Sequence, residues 1–130
     1  VIVIDASAIL EVLLRTTDAR AALEWMQAPR QTLHAPHLID IEVAQVLRRY
    51  ATAGGVDAEG YRRALLHFGD LPVIRYPHTQ LLARIWELRS QVSARDAAYI
   101  ALAEMIDAPL ITHDRKLARA SGHSARIELV

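Results

Sequence analysis

Val1-Ile2-Val3-Ile4-Asp5 is an unbroken β-branched run stopped by an acid. Apolar residues in sequence, without polar alternation, mark a strand buried on both faces of a parallel sheet. Leu110-Ile111-Thr112 is a second apolar run, and it too runs into an acid, through His113-Asp114. If the two strands are neighbours, Asp5 and Asp114 meet at their carboxyl ends. That is where open α/β sheets bind their ligands.

The chain between these runs alternates between two periodicities. Ala8 to Leu14 and Asp18 to Gln27 read as helices, the second with Asp18 as N-cap and Pro29 beyond its end. Thr32 to Ala35 reads as a short strand, and Leu38 to Ala53 as a helix halted at Gly54-Gly55. Asp57 caps a helix to about Gly69, Pro72 precedes a strand over Val73 to Tyr76, Thr79 opens a helix to Val92, and Ser93 opens another to Ile106. After Leu110 to Thr112, Asp114 starts a helix to Ala120, and Arg126 to Val130 closes the chain. Short apolar strands alternating with longer helices predict an α/β fold of three layers, α/β/α, around a short central parallel sheet. The 130 residues fit a single domain over 1–130, with no repeat or linker. A domain of that size buries roughly two-thirds of its unfolded surface.

Composition narrows the chemistry. With no cysteine, disulfides, thiolate zinc sites and cysteine nucleophiles are excluded, and any metal must be held by oxygen or nitrogen. The chain is 52% hydrophobic, but its apolar stretches fall short of the ~18 residues needed to span a bilayer, so no membrane role is expected. Val1 to Ile4 lacks a basic lead-in and reads as a strand rather than a signal peptide, which makes the cytoplasm the expected compartment. Fifteen basic residues balance fifteen acidic ones, so any polyanion must be held by a local patch. Lys116 is the only lysine; arginine suits bidentate phosphate contacts, although genome base composition yields the same bias.

Each acid has a bland reading beside the chemical one. Asp5 and Asp114 sit at strand-to-helix junctions, where an ordinary N-cap is worth about 1 kcal/mol. Asp96 shares a helix face with Ile100 and Ala103, yet Ser93-Ala94-Arg95-Asp96 also has the form of a capping box. Glu42 and Asp40 lie on either side of the stripe Ile39, Val43, Val46, Leu47 and Tyr50, each roughly 80° from its centre, so the helical wheel does not choose between them. Strand alternation turns His113 away from its neighbours Thr112 and Asp114, which argues against it as general base or ligand. The other histidines show no ligand spacing.

Four fragments in order carry a resemblance: Val3-Ile4-Asp5-Ala6-Ser7-Ala8, Glu42-Val43, Asp96-Ala97-Ala98-Tyr99 with Ala101-Leu102-Ala103, and Leu110-Ile111-Thr112-His113-Asp114. Together they resemble the PIN-domain ribonucleases, and the small size resembles the VapC-type toxins of bacterial toxin–antitoxin pairs. The resemblance implies a catalytic centre of Asp5, Glu42, Asp96 and Asp114, so that Glu42 is preferred to Asp40. Ser7 and Thr112 would support it through hydroxyl hydrogen bonds. Asp5, Asp96 and Asp114 would hold Mg²⁺, or Mn²⁺ in its place, while Glu42 orients or deprotonates the attacking water. Arg95, Arg115 and Lys116, beside these acids, are the candidate RNA contacts; Arg95 stands where family members often have an aromatic or small residue. The family would also place a Met or short leader ahead of Val1.

The resemblance further implies structured RNA (tRNA or rRNA) as substrate, a homodimer, and a VapB-type antitoxin that lays a basic side chain among the acids. Leu23 to Met26 and Leu38 to Tyr50 are the candidate antitoxin groove. Two other classes compete. A dehalogenase-type phosphatase would need a second acid where Ser7 stands, and a receiver domain an acidic pair before its aspartate. A catalytically silent PIN-like domain serving as a protein- or RNA-binding module is the alternative from outside enzymology.

Overall fold

In the computed structural model, which describes residues 1–53 and 57–130, β1 (Ile2–Ile4) is buried along its whole length, as its sequence requires. The chain continues through α1 (Ala6–Leu13), α2 (Ala19–Met26), β2 (Leu33–Pro36), α3 (Leu38–Thr52), α4 (Ala58–Asp70) and β3 (Val73–Tyr76). A 3₁₀ turn (His78–Gln80) follows, then α5 (Leu82–Glu87), α6 (Ala94–Met105), β4 (Leu110–Thr112), α7 (Arg115–Ala118) and β5 (Ile127–Leu129). The strands form one sheet in the order β3-β2-β1-β4-β5, every neighbouring pair parallel.

This order places the site. From β1 the chain moves outward to β2 and β3, then crosses back to β4 on the other side of β1 and on to β5. Parallel crossovers are right-handed, so reversing direction along the sheet moves the connecting helices to the opposite face. The helices α1 to α4 therefore cover one face and α5 and α6 the other. The switch in direction falls between β1 and β4, where a crevice opens beyond the strand ends. Val3 is in register with Leu110 and Ile4 with Ile111, which sets Asp5 level with Thr112.

The segment Ala97–Ala103 of α6 is buried at every position rather than along one stripe. Its four alanines let the helix backbone lie close to β1, β2 and β4 while α5 covers its outer side. Arg84 of α5 fastens that cover, binding Glu104 of α6 through Nε (2.8 Å) and Nη2 (3.1 Å). No helix of the described residues is long and apolar enough to cross a membrane.

Several boundaries differ from the sequence expectation. The first helix begins at Ala6, two residues early, because Asp5 itself is the N-cap and accepts from the Ala8 amide. The helix expected over 79–92 is only α5 flanked by tighter turns. Leu81 and Leu88, each 1% exposed, pin its two ends, and i→i+3 bonds such as Leu81 N to His78 O and Gln91 N to Leu88 O close the turns. The helix α7 stops at Ala118, and Asp18 takes the N-cap position of α2 without a side-chain capping bond. The expected stop at Gly54-Gly55 lies outside the described residues. His34, not singled out in the sequence, is buried in β2 between the Thr32 hydroxyl and the Tyr76 hydroxyl, each 2.8 Å away.

Candidate active site

The crevice above β1 and β4 is a cleft of about 470 Å³ whose lining includes Asp5, Glu42, Asp96 and Asp114. Four elements deliver them: the end of β1, the second turn of α3, the first turn of α6 and the end of β4.

Asp5 is the deepest. Its Oδ1 accepts from the Ser7 hydroxyl (2.7 Å) and the Ala8 amide (3.0 Å), and its Oδ2 from the Thr112 hydroxyl (2.5 Å). Burial pushes its carboxyl up to about 6 despite the hydrogen bonds from Thr112, Ser7 and Ala8, with the charge of Glu42 adding to the rise. The two hydroxyls also accept, Ser7 from the His113 amide (2.9 Å) and Thr112 from the Asp114 amide (3.0 Å). Each hydroxyl has a single hydrogen, and Asp5 takes both. The 3.2 Å approach of the two oxygens is then a contact and not a third bond. Ser7 and Thr112 thus tie the ends of β1 and β4 together through Asp5.

Asp96 follows the N-cap Ser93, whose hydroxyl accepts from the Asp96 amide at 3.2 Å. Only this half of the capping box forms: among the described residues no donor reaches the Asp96 carboxylate within hydrogen-bond distance. Burial raises its carboxyl, and the charges of Asp114 and Glu42 raise it further, against smaller opposing effects of Lys116 and Arg95. Asp114 caps α7 with one oxygen, which accepts from the Lys116 amide at 2.8 Å.

Glu42 is held on both oxygens. Oε1 accepts from the Tyr99 hydroxyl at 2.6 Å, and Oε2 from Arg95 Nη2 at 2.7 Å. Burial first, then the charge of Glu42, raises the Tyr99 hydroxyl well above its usual value, so it remains a donor. The helical wheel left Asp40 and Glu42 equivalent, but their surroundings differ. Asp40 points to the Arg75 guanidinium, 2.8 Å away, which lies over the Phe68 ring and outside the cleft.

The basic residues separate as well. Lys116 and Arg95 line the cleft, whereas Arg115 lines the adjoining larger one. Arg49, on the same helix as Glu42, lines the acid cleft, as do Tyr99 and Glu11. Helical spacing carried a signal for each: Arg49 lies seven residues after Glu42, Tyr99 three after Asp96, and Glu11 four after Ser7. Arg95 is 71% exposed at its side chain, so its ion pair with Glu42 is worth at most about 1 kcal/mol. Arg95→Ala should therefore leave the thermal unfolding midpoint within a few degrees of the parent, measured by circular dichroism.

Four acids at the switch point of a five-stranded parallel sheet agree with a family model described as the PIN domain, which matches residues 2–122. The chain belongs to the PIN-domain family. It is 45% identical over 116 residues to ribonuclease VapC9 of Mycobacterium tuberculosis, an alignment covering 89% of this chain and 87% of that one. It is 38% identical over 129 residues to ribonuclease VapC12 of the same species, covering 99% and 98%. A crystal structure of a protein from Pyrobaculum aerophilum superposes with a TM-score of 0.70 at 25% identity, covering 96% of this chain and 81% of that one. These relatives make it a homologue of the VapC ribonucleases. Within this PIN domain, Arg95 is a cation of the cleft already paired with one of its acids, its guanidinium seated on Glu42.

Proposed function

We propose that the chain, as one nuclease domain over 1–130, is a metal-dependent endoribonuclease and the toxin of a type II toxin–antitoxin pair. It would hydrolyse phosphodiester bonds in structured RNA such as tRNA or rRNA, in the cytoplasm. The observation that carries this reading is the convergence of Asp5, Glu42, Asp96 and Asp114 on one cleft, with Asp5 and Asp96 both raised by burial and by neighbouring acids. Carboxylates that raise one another's pKa mark a place for a cation.

The donor set fits a hard divalent ion. All its atoms are oxygen, and the Asp96 carboxylate has no protein donor within hydrogen-bond distance among the described residues. Asp5, Asp96 and Asp114 would hold Mg²⁺, with Mn²⁺ as a substitute. When bound, such an ion neutralises the acids, polarises a phosphate oxygen and lowers the pKa of water. The chain's own residues do the positioning. Thr112 and Ser7 hold Asp5 in place, and Tyr99 holds one oxygen of Glu42. The other oxygen is freed to orient the attacking water when Arg95 exchanges it for a substrate phosphate. Arg115 and Lys116, the two residues after Asp114, would give contacts that position RNA without reading sequence.

The partners follow from the same reading. A VapB-type antitoxin would block the cleft with a basic side chain. Leu23 and Met26, two of the residues considered for its groove, line an apolar cavity of about 360 Å³ with Val12, Leu33, Leu71 and Pro72. In α3, Ile39, Val43 and Leu47 are instead spent in the core. Exposed Ile41 (74%) and Trp86 (68%) suit a homodimer contact.

The test is incubation of antitoxin-free protein with total cellular RNA in Mg²⁺, with a chelator control. Discrete fragments that vanish with chelator are expected. Absence of cleavage by well-folded, metal-loaded protein would favour the silent binding module. Salt dependence of RNA binding checks the basic residues: Lys116→Ala should flatten the slope of log affinity against log salt by about 0.7, the value of one phosphate contact to a single strand.

A further inference from the structure

His113 stands between Thr112 and Asp114 in sequence but does not line the acid cleft. Its ring meets Glu11 of α1 and Asp18, just ahead of α2. Nδ1 lies 2.6 Å from the main-chain oxygen of Val130. That oxygen can only accept, so Nδ1 carries the hydrogen, and in its neutral form the ring presents a lone pair at Nε2. The lone pair faces Glu11 Oε1 and Asp18 Oδ2, each 3.8 Å away and beyond hydrogen-bond distance. All three ligand atoms lie within 4.8 Å of one another. Three acceptors at that spacing repel unless a positive charge sits between them.

The three side chains are also held in readiness. The Thr16 hydroxyl donates to Glu11 Oε2, leaving Oε1 to face the shared point. Asp18 makes no side-chain capping bond, so its carboxylate is not consumed by α2. The Val130 oxygen on Nδ1 is the kind of outer partner that fixes the tautomer of a metal-ligating histidine.

We propose that Glu11, Asp18 and His113 form a second cation site, next to the acid cleft and sharing Glu11 with its lining, that takes a borderline divalent ion of the Zn²⁺ class through one imidazole nitrogen and two carboxylate oxygens. The nitrogen sets its selectivity. An all-oxygen set suits Mg²⁺ or Mn²⁺, whereas imidazole suits Zn²⁺, Co²⁺ and Ni²⁺. Three protein ligands leave one position of a tetrahedral ion open. The site borders a cleft of about 980 Å³ lined by Asp18, His113 and Asp114, and Asp114 also lines the acid cleft. An ion here would pin α1, the approach to α2 and the ends of β4 and β5 to one another. It stands independently of the nuclease reading, because none of its three ligands is among the four acids.

The test is nitrogen-15 NMR of the histidine side chains in the full chain, titrated with Zn²⁺ alone, with His113 assigned by His113→Gln. One equivalent of Zn²⁺ should move His113 Nε2 to a metal-bound shift while Nδ1 stays protonated, and excess Mg²⁺ should not reverse it. Glu11→Gln and Asp18→Asn, near-isosteric changes whose backbone spectra report whether the fold is kept, should each raise the Zn²⁺ required by at least about 10-fold. A His113 ring doubly protonated and indifferent to Zn²⁺ would overturn the proposal. So would Zn²⁺ appearing only on other histidines, or both variants binding as the parent does.

Discussion

Asp5→Asn is expected to abolish RNA cleavage and, at the same time, to stabilise the metal-free protein above about pH 6. The loss should exceed the roughly 100-fold that removing a metal site's outer partner costs, because Asp5 is proposed to hold the ion itself. The gain follows from linkage. The Asp5 carboxyl is raised from 3.8 to about 6 in the fold. Between those values the unfolded chain has released its proton while the native protein retains it. Stability therefore falls as pH rises through that window and levels off above it. The full difference is on the order of 3 kcal/mol. Asn does not titrate, so its melting curve escapes the fall. Its amide can donate to Thr112, whose hydrogen can then turn to Ser7 across the 3.2 Å contact already present. Thermal unfolding of both proteins in chelator should show the midpoints diverging from about pH 4 to 6, by ~4 °C per kcal/mol at this size. Adding Mg²⁺ should raise the parent's midpoint and leave the variant's in place. Parallel melting curves across that range would refute the assignment of burial as the cause.

Thr112→Val should weaken divalent-ion affinity by about 10- to 100-fold with every carboxylate in place. Thr112 is fully buried, and valine matches its shape, so the change is confined to hydrogen bonding. Two bonds are lost, the one donated to Asp5 and the one accepted from the Asp114 amide. The Thr112 hydroxyl is the strongest of the interactions holding the Asp5 carboxyl down, so its removal sends that carboxyl higher still. Ion binding would then require a higher pH, since the ion needs the charged form. An amide left without an acceptor costs a further 1–3 kcal/mol or so of stability. Calorimetric titration with Mn²⁺ at two pH values measures the first effect, and denaturant unfolding the second. An unchanged Mn²⁺ affinity would mean that Asp5 does not ligate the ion.

The sheet and its acids were largely legible in the sequence, because a strand buried on both faces must be written as an unbroken apolar run. Val1 to Ile4 and Leu110 to Thr112 met that condition, and their pairing as neighbours brings Asp5 and Asp114 to one cleft. What escaped was whatever depended on a partner distant in sequence. The helical wheel could not separate Asp40 from Glu42, since the difference lies in Arg75 waiting beside one and in Tyr99 and Arg95 beside the other. The helix expected over 79–92 is broken into a 3₁₀ turn and the short α5, although Leu81 and Leu88 are buried seven residues apart as one face of a continuous helix would have them, and periodicity does not register the break. His113 was correctly turned from the acid cleft by strand alternation, but nothing in its spacing announced Glu11 and Asp18 on its other side.

The most direct test of the central claim is a panel of single variants assayed for Mg²⁺-dependent cleavage of total RNA at one protein concentration. Asp5→Asn, Glu42→Gln, Asp96→Asn and Asp114→Asn should each lose cleavage, whereas Asp40→Asn, whose partner lies outside the cleft, should cleave as the parent does. Cleavage that survives in the first four, or that is lost with Asp40→Asn in a folded protein, would contradict the assignment of this cleft as the nuclease centre.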